Sequence, residues 1–202
     1  MKNNYKFFAN IVILLKKEMD VKKGLEILKN YVKNEKMISH CIASSAIMKK
    51  LAKIFNEDEN KWALAGLLHD VDVELTNGDP NTHGQVAKEI LKKYNIDNEI
   101  IEAISLHNEV SAKEPRSKPF HHALAAAETI SGLIFATALV YPTKKISSVK
   151  PSSVIKRMKE KRFAASVKRE NIMECEKIGI PLDKFVEIAL DALKEIENEL
   201  TL

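Results

Sequence analysis

The chain has 202 residues, 45% of them apolar and 30% charged, with six glycines, six prolines and two cysteines. That composition excludes a disordered, collagen-like or disulfide-stapled chain, and the length suits one domain with a sizeable core. Cys41 and Cys175 have no finger-type spacing, which fits a reducing cytoplasm, and the formal net charge is a modest +4.

Lys2 and Lys6 precede an apolar stretch, Phe7 to Leu15, that is well short of the ~20 residues a membrane span needs. No small-residue cleavage site follows, only Lys16-Lys17-Glu18, so export is not expected and a cytoplasmic location is. Amphipathic periodicity predicts helices over about residues 5–18, 21–33, 37–55, 59–70, 82–94, 97–108, 119–140, 151–160, 169–178 and 182–200. Thr82 is expected to cap the fifth of these and Asp97 the sixth, a side-chain oxygen satisfying free backbone N–H groups. Pro142 is expected to end the apolar segment Ala123 to Tyr141. Glu128 makes that segment too charged for a membrane span, so it reads as the central helix of a bundle. No run of alternating strands and no repeat of 20–50 residues appears. The fold class is therefore all-α, a helical bundle of about eight to ten helices.

Charge is unevenly spread. From Lys144 to Arg169 ten Lys or Arg face the single acid Glu160, whereas Glu170 to Leu202 holds nine acids against three lysines. Such a block could meet a phosphate-bearing substrate or a nucleic acid, or could be a solvated helix face.

Helical spacing turns several polar residues inward. His40 shares a stripe with Ala43, Ile47, Leu51 and Ile54, and His69 follows Trp62 and Ala65 at spacings of seven and four. His83 heads a stripe of Val86, Ala87 and Ile90, His107 ends one of Ile100, Ala103 and Ile104, and Glu128 lies between Leu124 and the pair Gly132 and Phe135. One inward histidine is ordinarily a hydrogen-bonded core residue. Several of them, with the carboxylates of Asp70 and Glu128, are costly to bury unless they share a cation. Imidazole and carboxylate donors without a thiol cluster suit Mn, Fe, Ni, Co or Zn and argue against a structural zinc.

The order His40, then 29 residues on the pair His69-Asp70, then a late acid on an apolar helix, resembles the HD-domain superfamily of metal-dependent phosphohydrolases. The stretch Ala65-Gly66-Leu67-Leu68-His69-Asp70-Val71-Asp72 is similar to the core signature of its HDIG-type branch. Similarity continues through Asp79 to Gly84, Ala125 to Ile134 and Lys161 to Ala165, covering the chain from about Met19. Residues 1–18 have no counterpart and are expected to be an added helix or a misassigned start, with residues 19–202 forming a single HD-type helical domain.

The resemblance implies His40, His69 and Asp70 as ligands of a divalent transition metal, with Glu128 where the family usually has Asp. Where the family holds two metals, positions like His83 and His107 bind the second and an Asp like Asp70 bridges, so one ion is expected here and two are possible. Single-metal relatives often carry a catalytic Glu three residues after the signature Asp. Here that position is Val73, leaving Asp72 and Glu74, besides Asp70, as candidates to handle water or the leaving oxygen.

The implied chemistry is hydrolysis of a phosphate ester, a nucleotide or other small phosphorylated metabolite, by hydroxide generated at the metal. Lys156, Arg157, Lys161, Arg162, Lys168 and Arg169 are candidates to hold its anionic part. Two other readings stay open. One is a regulatory module that binds metal or nucleotide without turnover, allowed by Glu128 and Val73. The other is nucleic-acid binding, not expected without a reading motif. Membrane association is not expected, and oligomeric state is not indicated.

Overall fold

The computed structural model describes residues 19–202. The helix expected at 5–18, and the N-terminal extension with it, lie outside the described residues. Among the described residues there are ten α-helices and no strand. They are α1 (Val21–Tyr31), α2 (Glu35–Phe55), α3 (Glu59–Leu68), α4 (Gln85–Lys93), α5 (Asn98–His107), α6 (Glu109–Ala112), α7 (Pro119–Leu139), α8 (Pro151–Lys159), α9 (Arg169–Ile172) and α10 (Leu182–Glu195). Short 3₁₀ turns at Ile146–Ser148, Met173–Ile178 and Glu197–Glu199 complete the chain.

Local chemistry starts these helices. Asp20, Asn34, Asp58, Asp97 and Asn108 each accept a backbone N–H from the first turn that follows, the role a short polar side chain plays at an N-cap. Pro119 and Pro151 occupy first helical positions, where a missing N–H is harmless. Thr82 departs from expectation. α4 begins later, at Gln85, and the Thr82 hydroxyl stays with Asp79. The carboxylate that serves α4 comes from elsewhere in the chain: Asp72 Oδ2 accepts Gly84 N and Ala87 N, each at 2.8 Å.

α7 is the axis of the bundle. Fourteen of its residues are buried, among them Leu124, Ile130 and Leu133, and α2, α5 and α10 pack on it. It is long and apolar enough to cross a membrane, yet 72% of its most apolar window is buried inside the fold, as a core helix requires. Buried apolar side chains from α1 to α10 form one continuous cluster. The stripe expected on α2 holds at Ala43, Ile47 and Leu51, while Ile54 is exposed because the helix ends one residue beyond it.

α3 lies unusually close to α2. A Cβ on Gly66 would stand 2.6 Å from Ser44 O and 2.8 Å from Ser45 N, so only glycine permits this approach. The same contact brings His40 of α2 up to the end of α3, where His69 and Asp70 lie.

Candidate metal centre

Five segments deliver six side chains to one place: His40 from α2, His69 and Asp70 from the end of α3, His83 from the turn before α4, His107 from the last residue of α5 and Glu128 from mid-α7. His83 stands ahead of its helix rather than on it; Gly84, at φ 90°, turns the chain so that the imidazole faces inward. The six form two groups, His40 with His69 and Glu128, and Asp70 with His83 and His107, each with its donor atoms within 4.8 Å of one another. The longer side chain of Glu128 does not keep it from the first group.

Asp70 stands between the groups and turns one oxygen to each. Its Oδ2 lies 3.4 Å from His69 Nε2 and 3.6 Å from His40 Nε2, and its Oδ1 lies 3.0 Å from His83 Nε2 and 3.6 Å from His107 Nε2. The imidazoles meet in pairs through the same nitrogen. His40 Nε2 is 3.1 Å from His69 Nε2, and His107 Nε2 is 2.9 Å from His83 Nε2.

The outer nitrogens explain which way each ring presents its lone pair. His69 Nδ1 faces Gly66 O at 2.8 Å, His107 Nδ1 faces Ile104 O at 2.5 Å and His83 Nδ1 faces Asp72 Oδ1 at 2.7 Å. Carbonyl and carboxylate oxygens only accept, so Nδ1 is the donor in all three. Ser131 Oγ donates to Glu128 O at 2.8 Å and so accepts from His40 Nδ1 at 2.9 Å. Each neutral ring therefore offers its Nε2 lone pair inward, the arrangement that outer hydrogen bonds impose on metal-binding histidines. Two lone pairs at about 3 Å repel unless a proton or a cation sits with them. This donor set fits a divalent transition ion.

The protonation pattern shows the same demand for positive charge. Burial and the neighbouring His69 push His40 down to about 4, leaving it a neutral donor. Burial would also lower His83, but hydrogen bonds to Asp70 and Asp72 outweigh it and hold His83 up at about 10. Burial would raise Asp70; the charge of His69 and hydrogen bonds from His107, His69 and His83 instead keep it well below the carboxylate range. Glu128, with fewer partners, is raised by burial. Burial would likewise lower His69, but Asp70 raises it, so in this state protons on His69 and His83 bring the charge that a cation would bring.

Asp72 and Glu74 are placed otherwise than as loop acids free to act on water. Asp72 is fully buried, with both oxygens occupied by His83 and the start of α4. Glu74 Oε1 accepts Lys33 N and Asn34 N, each at 2.8 Å, which ties it to the α1–α2 connection. Two of the six basic candidates are likewise occupied. Arg157 pairs with Glu160 and lies 4.2 Å over the Phe163 ring. Arg169 donates to the carbonyls of Ala164 and Val167 at 2.7 Å and to that of Phe163. Lys156, Lys161 and Arg162 do not line the cavity beside the centre; Lys168 does. That cavity, about 300 Å³, is lined by His40, His83, His107 and Glu128 and also by Ser166, Val167, Lys168 and Asn171.

A second buried polar cluster escaped the sequence reading. Arg116 grips Glu174, with Nε to Oε2 at 2.9 Å and Nη2 to Oε1 at 2.7 Å, while its Nη1 donates to the carbonyls of Leu106 at 3.1 Å and His107 at 3.0 Å. His122 Nδ1 donates to Glu174 Oε2 at 2.7 Å, and Arg116 Nη2 holds Asn171 Oδ1 at 3.1 Å. No helical period marks Arg116, which sits between α6 and α7. Ser131 was findable: it lies one turn from Glu128 on the same face of α7. His121 is buried with no hydrogen bond to its Nε2 among the described residues.

The HD domain family model matches residues 37–138, just over half the chain and the span that contains all six clustered side chains. Curated relatives include Ribonuclease Y from Nitratidesulfovibrio vulgaris (strain DP4), 29% identical over 99 residues, which cover 49% of this chain and 18% of that protein. Ribonuclease Y from Acetivibrio thermocellus is 26% identical over 185 residues, 82% of this chain and 32% of that protein. The chain spans a third or less of the length of these relatives. No solved structure matches significantly. With the pair His69-Asp70 and its companions inside the matched span, the chain belongs to the HD-domain family.

Proposed function

We propose that this protein is a metal-dependent phosphohydrolase that acts on a phosphate ester of a nucleotide or another small phosphorylated metabolite. The observation that carries the reading is Asp70, whose two oxygens each face a pair of inward Nε2 donors. His40, His69 and Glu128 would hold one divalent ion, and His83 and His107 a second, with Asp70 shared between them. An ion bound there lowers the pKa of water toward ~7 and offsets charge on the phosphoryl oxygens. Asp72, Ser131 and the carbonyls of Gly66 and Ile104 keep the four rings turned inward, so that little reorganisation is needed when substrate arrives. The cavity is lined by ligand side chains and by neutral or cationic ones, Ser166, Val167, Lys168 and Asn171. Cys41 and Cys175, both buried and unpaired, support work in a reducing cytoplasm.

The test is phosphate release from p-nitrophenyl phosphate and nucleoside monophosphates with added Mn, Fe, Ni, Co or Zn, alongside metal analysis of protein purified without chelator. Release that depends on the metal is the expected result. No release with any metal, together with tight nucleotide binding, would instead make the chain a regulatory module. A second reading has its own support: the Ribonuclease Y relatives favour a phosphodiester of RNA as substrate. Cleavage of a short oligoribonucleotide in preference to monoesters would establish that one.

A further inference from the structure

Ser166, Val167, Lys168 and Asn171 line the cavity together with the ligand side chains, and the segment that carries them is firmly anchored. Arg169, half-buried, fastens this segment by donating to the carbonyls of Phe163, Ala164 and Val167. The chain there passes through φ 43° at Ala164, a strained conformation for a residue with a Cβ, kept only where its surroundings impose it. Asn171 is held through its Oδ1 by Arg116, the same guanidinium that holds the carbonyls of Leu106 and His107. One buried guanidinium thus ties Asn171 to the end of α5, the helix that carries His107.

Among the described residues Lys168 is the one Lys or Arg that lines the cavity. It is exposed, and among the described residues its ammonium enters no ion pair. Asn171, its carbonyl oxygen engaged, keeps its NH₂ as a neutral donor beside it.

We propose that Lys168 is the specificity-determining cation of this cavity, seating the outer oxygens of a terminal phosphate and so favouring monoesters over internal diesters. The inference rests on the phosphohydrolase reading and narrows its substrate class. A phosphate monoester carries about −1.5 to −2 charge at neutral pH, whereas a diester carries a single charge per phosphate. A phosphoryl group held at the imidazole and carboxylate side chains keeps its remaining oxygens in the same cavity as Lys168 and Asn171. In a monoester those oxygens carry the extra charge. In a diester one of them bears a carbon substituent, so the ammonium meets less charge and more bulk. A lysine suits the role because it acts as a point charge with three donors and accepts several phosphate orientations.

The experiment uses the full chain and its variants Lys168→Met and Lys168→Arg. Rates are measured on p-nitrophenyl phosphate and bis(p-nitrophenyl) phosphate, and binding of inorganic phosphate is followed by calorimetry as a readout independent of turnover. Lys168→Met is expected to lower kcat/KM for the monoester by about 10-fold or more, mainly through KM, as loss of a charged hydrogen bond does. The diester is expected to change less than about 3-fold, and the Kd for phosphate to rise about 10-fold, with Lys168→Arg restoring most of both. Equal losses on the two esters, or an unchanged Kd for phosphate, would overturn the proposal. If the wild type hydrolyses neither ester with any metal, the hydrolase reading fails by itself, and phosphate binding decides the role of Lys168 separately.

Discussion

Two buried polar clusters lie back to back in this molecule, and they resolve their charge in opposite ways. Around Arg116 the positive and negative partners are both supplied by the chain: a guanidinium meets Glu174 in a two-point grip, its other donors reach backbone carbonyls, and His122 completes the carboxylate. Around Asp70 the chain supplies mostly donors of lone pairs, four Nε2 atoms with Asp70 and Glu128, and the balancing charge falls to protons on the imidazoles, with His69 and His83 both raised by Asp70. A self-neutral cluster of this kind is structural. One that lacks positive charge is built to receive it from outside.

That contrast is broken most sharply by Asp70→Asn, which keeps the shape and removes the shared charge. Activity is expected to fall more than about 1,000-fold, as when a group essential to the reaction is lost, with metal content falling in parallel by mass spectrometry. In the wild type, a divalent ion at 100 times its Kd should add about 2.7 kcal/mol to the unfolding free energy. A variant that retained this gain would show that Asp70 is not a shared ligand.

Next in size is the Arg116 cluster. Arg116→Met leaves Glu174 buried without its guanidinium and should cost about 3–5 kcal/mol in urea unfolding, with or without metal, whereas the paired change Arg116→Met with Glu174→Gln should recover much of it. If the loss appeared only in the metal-bound protein, the cluster would be part of the centre rather than its support.

Asp72→Asn sharpens the boundary between ligand and orienting residue. Asp72 touches His83 and the start of α4, so its loss should weaken metal binding by about 10–100-fold, the usual effect of an outer partner of a ligand, without abolishing it. Titration of the metal-free variant by NMR should show His83 lower than in the wild type, since one of the two carboxylates that raise it has lost its charge.

The smallest effect is a pH dependence. Burial would raise Glu174, but hydrogen bonds from Arg116 and His122 prevail and hold it below its ordinary value. Its folded pKa therefore lies below the unfolded one of ~4.3. The stability it contributes is complete above that value and is lost as pH falls through it toward the lowered folded pKa. Urea midpoints of the wild type and Glu174→Gln should converge as pH drops from about 6 to about 3. Parallel curves would show that the carboxylate charge contributes nothing.

The sequence by itself determined the all-helical class, because apolar residues recurring at helical spacing have few other ways to be buried. It also singled out His40, His69, His107 and Glu128, since each breaks an apolar stripe on its own helix and so needs no knowledge of its neighbours. His83 was reached through the stripe of Val86, Ala87 and Ile90, although it stands ahead of that helix, where Gly84 turns the chain. Tertiary structure alone decided the rest: which oxygen Asp70 turns to each imidazole pair, that Asp72 holds His83 and the start of α4, and that the Nη donors of Arg169 go to backbone carbonyls between Arg157 and Val167. Arg116 and Glu174 are 58 residues apart and share no periodicity, so their union exists only once α7 and the C-terminal segment pack together. Periodicity reports which way a side chain faces along one helix; which atom it meets there depends on how the helices are set against one another, and here Gly66 and Arg116 fix that setting.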